Sequence, residues 1–428
     1  MGCVDDPRSS TYIQIALNPL VGDNAETMLT ALLGEGLELE PLKRLIAERT
    51  GGNPFFIEEM VQTLFDEGAL VRNGVVKVAR SLSQLRLPPT VQGILAARID
   101  RLSLEQKELL QTLAVIGREA SLSLIVKMTA ASAAQLQRML AELRAAKFIY
   151  EQPALADTEY VFKHALTQKV AYNSVLIERR KLLHERAGQA VELMFAGQLD
   201  DHLTQLAHHY SHSDNVIKAV EYLGRAGQQA FQRLVYYDAI TSLTAAIDLL
   251  QKLPDSSERL QRELPLQLAL NRALSPIKGW AAPEVERSLI RAQELCELLG
   301  NPPESFFVLF ALFGTYFVGG KLRPARDLAE QLMLRAESAD DPMLLMFGHY
   351  ALGFPCYQMG ELVLARQHFE MAISLYDRER HRPLALRMIG IDGEVQCLSH
   401  LAFTRLIVAY WADPCLTSHT PSSSSSPP

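Results

Sequence analysis

The chain has 428 residues, of which 42 are Lys or Arg and 49 are Asp or Glu, so its formal net charge is −7. This length predicts about two to four domains, each able to bury a core, and the mixed charges give no reason to expect a nucleic acid partner. The apolar runs are too short for a membrane span, no export signal opens the chain, and five scattered cysteines argue against a disulfide framework. We therefore expect a cytoplasmic protein with protein partners and no membrane association.

The first 84 residues predict one strand followed by a helical segment. Alternating apolar residues predict a strand that ends by residue 20; a lone strand is no domain, so residues 1–20 are read as the remnant of a sheet that lies upstream. Over 21–84, one helix ends at Gly51-Gly52, and the next is capped by Asn53 and begins at Pro54. An Asn-Gly pair at 73–74 between valine-rich arms predicts a tight hairpin.

Residues 85–165 predict helices followed by two strands. Ser103 with Gln106, and Ser132 with Gln135, each have the spacing of a capping box before an apolar helical run. Aromatic, β-prone arms at 148–150 and 160–162 enclose a polar loop. This order is typical of a winged-helix domain.

Residues 166–412 predict only helices, separated by short turns, and this invites a search for repeats. The tetratricopeptide spacing of small and large residues recurs in three units and, in degenerate form, over 257–299. The matches are Leu352, Gly353, Cys356, Gly360, Ala365, Phe369 and Ala372; then Ala226, Gly227, Ala230, Ala239, Leu243 and Ala246; then Leu312, Tyr316, Gly320, Ala325, Ala329 and Leu332. Small residues allow two helices to cross closely, so stacked pairs share one core. The Ser/Pro-rich residues 413–428 predict a disordered tail.

Several motifs in fixed order carry a resemblance to a known family. They are Glu48-Arg49-Thr50-Gly51-Gly52-Asn53-Pro54-Phe55-Phe56, Leu95-Ala96-Ala97-Arg98-Ile99-Asp100-Arg101-Leu102, Ala114-Val115-Ile116-Gly117-Arg118-Glu119, Phe162-Lys163-His164-Ala165-Leu166 and Leu206-Ala207-His208-His209-Tyr210. Together they resemble the middle and C-terminal part of bacterial signal-transduction predicted ATPases with tetratricopeptide repeats, of the kind fused to adenylate or guanylate cyclase domains.

The resemblance implies a mainly α fold: ATPase lid helices, a winged helix, then a tetratricopeptide-like α-solenoid. It implies that Gly52 and Pro54 are the positions that contact adenine, with ATP and Mg²⁺ as cofactors of full-length relatives. It also implies a regulatory and protein-interaction segment of a signalling ATPase associated with a class III nucleotide cyclase. The partners would bind the repeat array, and a nucleotide would bind only if an upstream core is present.

The sequence departs from that family where catalysis would occur. It has no Gly-x-x-x-x-Gly-Lys-Ser/Thr loop and no apolar strand that ends in the acidic pair for magnesium; the nearest match, Gly314 to Lys321, has the wrong spacing. We therefore expect no enzyme activity from the chain alone, no catalytic residue and no bound cofactor.

Other interpretations compete with this one. His208 and His212 have a one-turn spacing, but no further ligand stands in register, so no metal site is expected. Glu58 and Glu59 are explained by the dipole at a helix start rather than by catalysis. Arg138 and Arg144 lie beside Glu142 on the third winged-helix helix without forming a basic stripe, so DNA binding is not expected.

Two other functions remain open. One is a fragment of an ATP-dependent transcription regulator of the maltose-activator type, which ends in a basic DNA-binding domain; here a Ser/Pro tail stands at that place. The other is a vestigial enzyme that binds nucleotide at the lid without hydrolysis.

Overall fold

The computed structural model describes residues 18–20, 22–73, 75–79, 88–153, 157–389 and 392–412. Over these residues the protein is mainly helical, with twenty α-helices and five short strands. The chain divides into two compact units, Met1–Ala196 and Gly197–Pro428, and each is described by itself. Within the described ranges, no helix combines the length and the apolarity that a bilayer crossing requires.

Unit 1 holds nine of these helices and all five strands. In chain order they are α1 (Asp23–Leu33), α2 (Glu40–Thr50), α3 (Pro54–Asp66), β1 (Leu70–Asn73), β2 (Val75–Val78), α4 (Val91–Asp100), α5 (Leu104–Ile116), β3 (Glu119–Ser121), α6 (Leu122–Met128), α7 (Ala133–Ala145), β4 (Ile149–Pro153), β5 (Thr158–Phe162), α8 (Ala165–Asn173) and α9 (Ile177–Met194).

The first part of unit 1 has one small core beneath α1, α2 and α3. Leu29, Leu42, Ile57 and Met60 are fully buried there. The predicted hairpin is confirmed, since β1 pairs antiparallel with β2 and Leu70 lies opposite Val78. Helix α1 was not predicted as an element. The predicted strand lies outside the described residues apart from 18–20, which have no regular structure, and the predicted tail at 413–428 also lies outside them.

The second part of unit 1 alternates helices with a three-stranded antiparallel sheet of order β3-β5-β4. Ser103 and Gln106 form the predicted capping box at the start of α5. At α7, within the described residues, only half of the predicted box forms: the Ser132 hydroxyl accepts a hydrogen bond from the Gln135 amide, and the Gln135 side chain does not return one to the Ser132 amide. Strand β3 was not predicted, because three residues are too few to show an alternating pattern. The two strands predicted at 148–150 and 160–162 are present as β4 and β5.

The helices that follow the sheet pack inside unit 1. Helix α8 contacts α4 and α5, and α9 contacts α5 and α6. The sequence places the start of the repeats at residue 166, whereas in the structure the first helices of unit 2 come after residue 196.

Unit 2 is an array of helices in which neighbours along the chain pack on one another from α10 to α18, and α20 packs chiefly on α18. They are α10 (Leu203–Ser211), α11 (Val216–Gln232), α12 (Tyr236–Leu250), α13 (Ser257–Lys278), α14 (Pro283–Leu298), α15 (Ser305–Val318), α16 (Leu322–Ala339), α17 (Pro342–Gln358), α18 (Leu362–Ser374), α19 (Arg378–Ile389) and α20 (Gly393–Ala412). The helix pairs α11/α12, α13/α14, α15/α16 and α17/α18 coincide with the predicted repeats, so the tetratricopeptide-like array is confirmed.

Glycines let the paired helices approach closely. A Cβ atom placed on Gly353 of α17 would lie 2.5 and 2.7 Å from ring carbons of Phe369 in α18, and one on Gly227 of α11 would lie 2.7 Å from Leu243 in α12. Phe369 and Leu243 are completely buried. The small-against-large pairing that the sequence pattern predicts is therefore the actual contact between the helices.

Candidate functional site at the lid segment

The lid segment, which the sequence predicts over residues 21–84, contains both sequence-predicted site residues in one tight turn between α2 and α3. Gly51 ends α2 in the left-handed conformation, and Gly52 follows with a φ of 74°. The Leu20 amide donates to the Gly52 carbonyl at 2.8 Å. A side chain at position 52 would overlap the backbone of Leu20. Only glycine therefore fits position 52, for reasons of both conformation and space.

The turn also sets the direction of α3. The Asn53 side chain accepts a hydrogen bond from the Phe56 amide at 3.1 Å, and Pro54 occupies the first helical position. Gly52 borders an open depression, together with Leu20, Ala25 and Ala47, but Pro54 does not line it. The structure thus brings Gly52, and not Pro54, to this depression. None of the described residues that line the depression is charged, so they offer no side chain that could hold a triphosphate.

Two of the separate sequence motifs meet beside the turn. The Phe55 ring packs against the His164 ring with centroids 3.9 Å apart. His164 Nε2 is buried and has no hydrogen-bond partner in the described part of the chain. Burial, helped by the nearby Lys163 charge, lowers the pKa of His164. The imidazole is therefore neutral near pH 7, with one polar atom left for a ligand or a water.

An ion pair joins the same two motifs. Glu58 on α3 and Lys163, directly after β5, lie 2.6 Å apart. Each side chain is about one-third exposed, so water screens the pair and its contribution to stability is modest. The pair nevertheless fixes where α3 meets the end of the sheet.

Arg98 forms the buried centre of this junction. Its guanidinium pairs with Glu59, approaches Asp66 at 3.1 Å and donates to the Ala146 carbonyl at 2.6 Å. It also lies over the Phe148 ring, 4.8 Å from the centroid. One side chain of α4 thereby ties α3 to the end of α7 and the start of β4. Burial raises the pKa of Glu59, while the adjacent Arg98 charge opposes that rise.

These contacts correct the explanation of the two glutamates. Glu58 and Glu59 lie in the second turn of α3, whose first turn holds no acidic residue, so the helix dipole does not account for them. Both carboxylates are held in ion pairs instead. The junction connects helices mechanically, and its polar groups form no nucleophile–base pair among the described residues.

Comparisons with known proteins find distant similarities. No family model matches the chain. It is 25% identical over 400 residues to an uncharacterised protein of Rhizobium meliloti (strain 1021), and the match covers 91% of this chain. The chain spans only 38% of the length of that relative.

Among solved structures, a Signal Transduction ATPase with Numerous Domains (STAND) protein with a tetratricopeptide repeat sensor, from Pyrococcus horikoshii, matches 90% of this chain and 63% of its own. The identity is 12% and the TM-score 0.29. A superposition of that quality supports no conclusion about this protein.

Two other groups singled out in the sequence behave as follows. Arg138 lies 3.9 Å from both Glu105 and Glu142, and Arg144 pairs with Glu151, so carboxylates face both arginines of α7. The His208 and His212 rings lie 4.5 Å apart, and His212 Nδ1 bonds to the His208 carbonyl at 2.8 Å. The expectation that the chain holds no metal stays a prediction.

The junction itself was missed from the sequence. Arg98 and His164 both lie inside motifs that are evident in the sequence. A motif does not show, however, which residue more than 30 positions away its members contact. A usable signal was present in Arg98, since an arginine that interrupts the apolar positions of a helix needs a buried acid nearby.

Proposed function

We propose that this chain is the regulatory and protein-interaction segment of a signalling ATPase, and that it hydrolyses no nucleotide on its own. The observation that carries the proposal is the stack of tetratricopeptide-type pairs in unit 2, because such arrays present one continuous face for partners. The ordered motifs and the missing phosphate-binding loop support the rest. Association with a class III nucleotide cyclase and a cytoplasmic location belong to the same proposal.

In this proposal the Arg98 junction is the transmitting element. A change in the lid segment that moved α3 would move Glu58 and Glu59, and with them the helices tied to Arg98 and Lys163. We propose that the sheet and helices between residues 85 and 165 form a winged helix that serves as a spacer and does not bind DNA. From α5 to β5 the element order is helix, strand, helix, helix, strand, strand, and this order supports that assignment.

A matched pair of valines tests the interaction face. Val318 ends α15, the first helix of its pair, and Val363 lies on α18, the second helix of the next pair; they are 62% and 59% exposed. Partners on the face of the first helices would be lost in Val318→Glu and kept in Val363→Glu. Proximity labelling with the full chain, compared between the two variants by mass spectrometry, measures this. Equal labelling by both variants would contradict the proposal.

Hydrolysis is tested separately with the purified chain. Phosphate release from ATP should not exceed a protein-free blank, since nothing in the sequence cradles the phosphates. Titration with a fluorescent adenine nucleotide distinguishes the vestigial-enzyme alternative, in which saturable binding would weaken in Pro54→Ala. The maltose-activator alternative predicts a basic DNA-binding domain in the reading frame downstream, and sequencing the gene and transcript in both directions decides it.

A further inference from the structure

Unit 2 contains an aromatic pocket to which the proposed function assigns no ligand, although Val318 of the interaction-face test is among its lining residues. Its walls come from α15, α17 and α20, and a partly exposed tryptophan precedes α14 at one side. Six rings line it: Trp280, Phe310, Phe313, Phe317, Tyr350 and Phe354. The space between them has a volume of about 240 Å³.

The rings hold one another in fixed orientations. Phe313 and Phe317 stack at 6.0 Å with an interplanar angle of 21°, and Phe317 meets Phe354 edge-on at 5.6 Å. Tyr350 packs on Phe354 at 4.7 Å. Aromatic rings prefer such offset and edge-to-face contacts, so the pocket presents rigid ring faces and edges to whatever enters it.

Among the residues that the structure describes, none that lines the pocket is charged. The three charged residues within three positions of the lining are already paired: Lys278 with Glu284 at 3.5 Å, Lys321 with Glu286 at 2.7 Å, and Glu394 with Arg378 at 2.6 Å. An anion would lose its hydration here without gaining a counter-ion, and a cation would gain only contacts with ring faces that already pack on one another. We therefore take a neutral molecule as the occupant.

Gly314 keeps the pocket open. It lies in the middle of α15, and a Cβ atom placed there would meet nothing within 4 Å. Since an alanine side chain would fit at position 314, close packing does not explain the glycine. Helix stability does not explain it either, because glycine inside a helix is less stable than alanine by about 0.5–1 kcal/mol. The missing side chain leaves space on the pocket wall.

The pocket has one polar corner. The Tyr350 hydroxyl donates to Gln396 Oε1, and burial raises the pKa of that hydroxyl, so it stays protonated. The Gln396 amide nitrogen can still donate to an acceptor. A peptide would need more than this corner, because each of its backbone amides requires a partner on leaving water.

We propose that this pocket binds a small, uncharged, planar molecule of one or two aromatic rings that carries a hydrogen-bond acceptor. The size follows from the volume: a dry cavity of about 150 Å³ holds benzene, and drug-sized ligands need about 300 Å³ or more. The bound molecule would bridge α15, α17 and α20, and would thereby be an input to the array.

Coumarin is a suitable probe because it has two fused rings, a carbonyl acceptor and no charge. Coumarin-3-carboxylate is its matched anionic control. The chain has two tryptophans, Trp280 and Trp411, so in a Trp411→Phe background the emission comes from the pocket residue alone. Saturable quenching of Trp280 by coumarin, at least tenfold tighter than by the carboxylate, is the expected result.

Gly314→Leu should abolish the quenching, because it fills the space while favouring the helix. Gly197→Leu is the control: it makes the same change at another open position that does not line the pocket. Thermal melts of both variants establish that they fold. Val318→Phe, at an exposed lining position, provides a second block if Gly314→Leu melts early, and it adds no second emitting tryptophan.

Three results would overturn the assignment. They are no saturable quenching up to the solubility limit of coumarin, equal quenching by the carboxylate, and unchanged binding in both blocked variants.

Discussion

One identical substitution at two glycines of the array should have opposite effects. At Gly353 a new methyl group would press on the Phe369 ring, 2.5 Å away, and that ring is fully buried between Phe354 and His400 and cannot swing aside. Overpacking of this kind costs about 1–3 kcal/mol, against a gain of about 0.5–1 kcal/mol from helix propensity. Gly353→Ala should therefore destabilise unit 2 by about 1–2 kcal/mol.

At Gly314 the same substitution meets open space, so only the propensity gain of about 0.5–1 kcal/mol remains. The assay is thermal unfolding followed by circular dichroism, in which 1 kcal/mol shifts the midpoint by about 2–4 °C in a domain of this size. Adding Phe369→Leu to Gly353→Ala should recover part of the loss, because the smaller side chain leaves room for the methyl group. A midpoint that rises or stays unchanged in Gly353→Ala would refute the close crossing of α17 and α18.

Three further outcomes are expected. Arg98→Met should lower the free energy of unfolding in urea by about 3–5 kcal/mol, because it leaves Glu59 buried without its cation. Adding Glu59→Leu should recover more than half of that loss. A loss under about 1 kcal/mol would show that the pair is solvated. Glu58→Gln should cost less than about 1 kcal/mol and, unlike Arg98→Met, its effect should shrink in 1 M salt. The third outcome concerns pH. The Nδ1 atoms of His349 and His368 lie 2.9 Å apart. Burial, and for His368 also the neighbouring His349, lowers both pKa values, that of His368 to about 4. The unfolded chain takes up these protons as pH falls through about 6.5, before the folded pair does, so stability is full above that pH and decreases by about 1–2 kcal/mol toward pH 4.5. His368→Gln should reduce the change in the urea midpoint between pH 7.5 and 4.5. An unchanged pH dependence of the midpoint would exclude the pair as its cause.

Local signals in the sequence predicted local structure well. Asn53-Pro54 and Ser103 with Gln106 fixed the starts of α3 and α5, because a cap is a contact between residues three apart. The repeat spacing around Gly353 predicted the α17/α18 crossing for a related reason. The motif specifies the residues on both sides of one contact, and these lie within about 20 residues of each other.

Contacts between distant residues were not predictable in the same way. Arg98 binds Glu59, 39 positions away, and Phe55 meets His164 across more than 100. Each pairing depends on how whole helices are placed, and no periodicity within a single helix carries that information. Strand β3 was missed because its three residues acquire strand geometry only by pairing with β5.

The neighbour-to-neighbour packing of unit 2 has a consequence for its cooperativity. Because most helices contact chiefly their neighbours along the chain, and α20 contacts chiefly α18, a helix at the end of the array can detach without disturbing the middle. Unit 2 therefore need not unfold in a single step. Helix α20 is the last described helix, and its Gln396 forms part of the aromatic pocket. Fraying of α20 would remove one wall of that pocket, while an occupant would oppose the fraying by mass action. Slower amide hydrogen exchange in α20 would then report occupancy of the pocket.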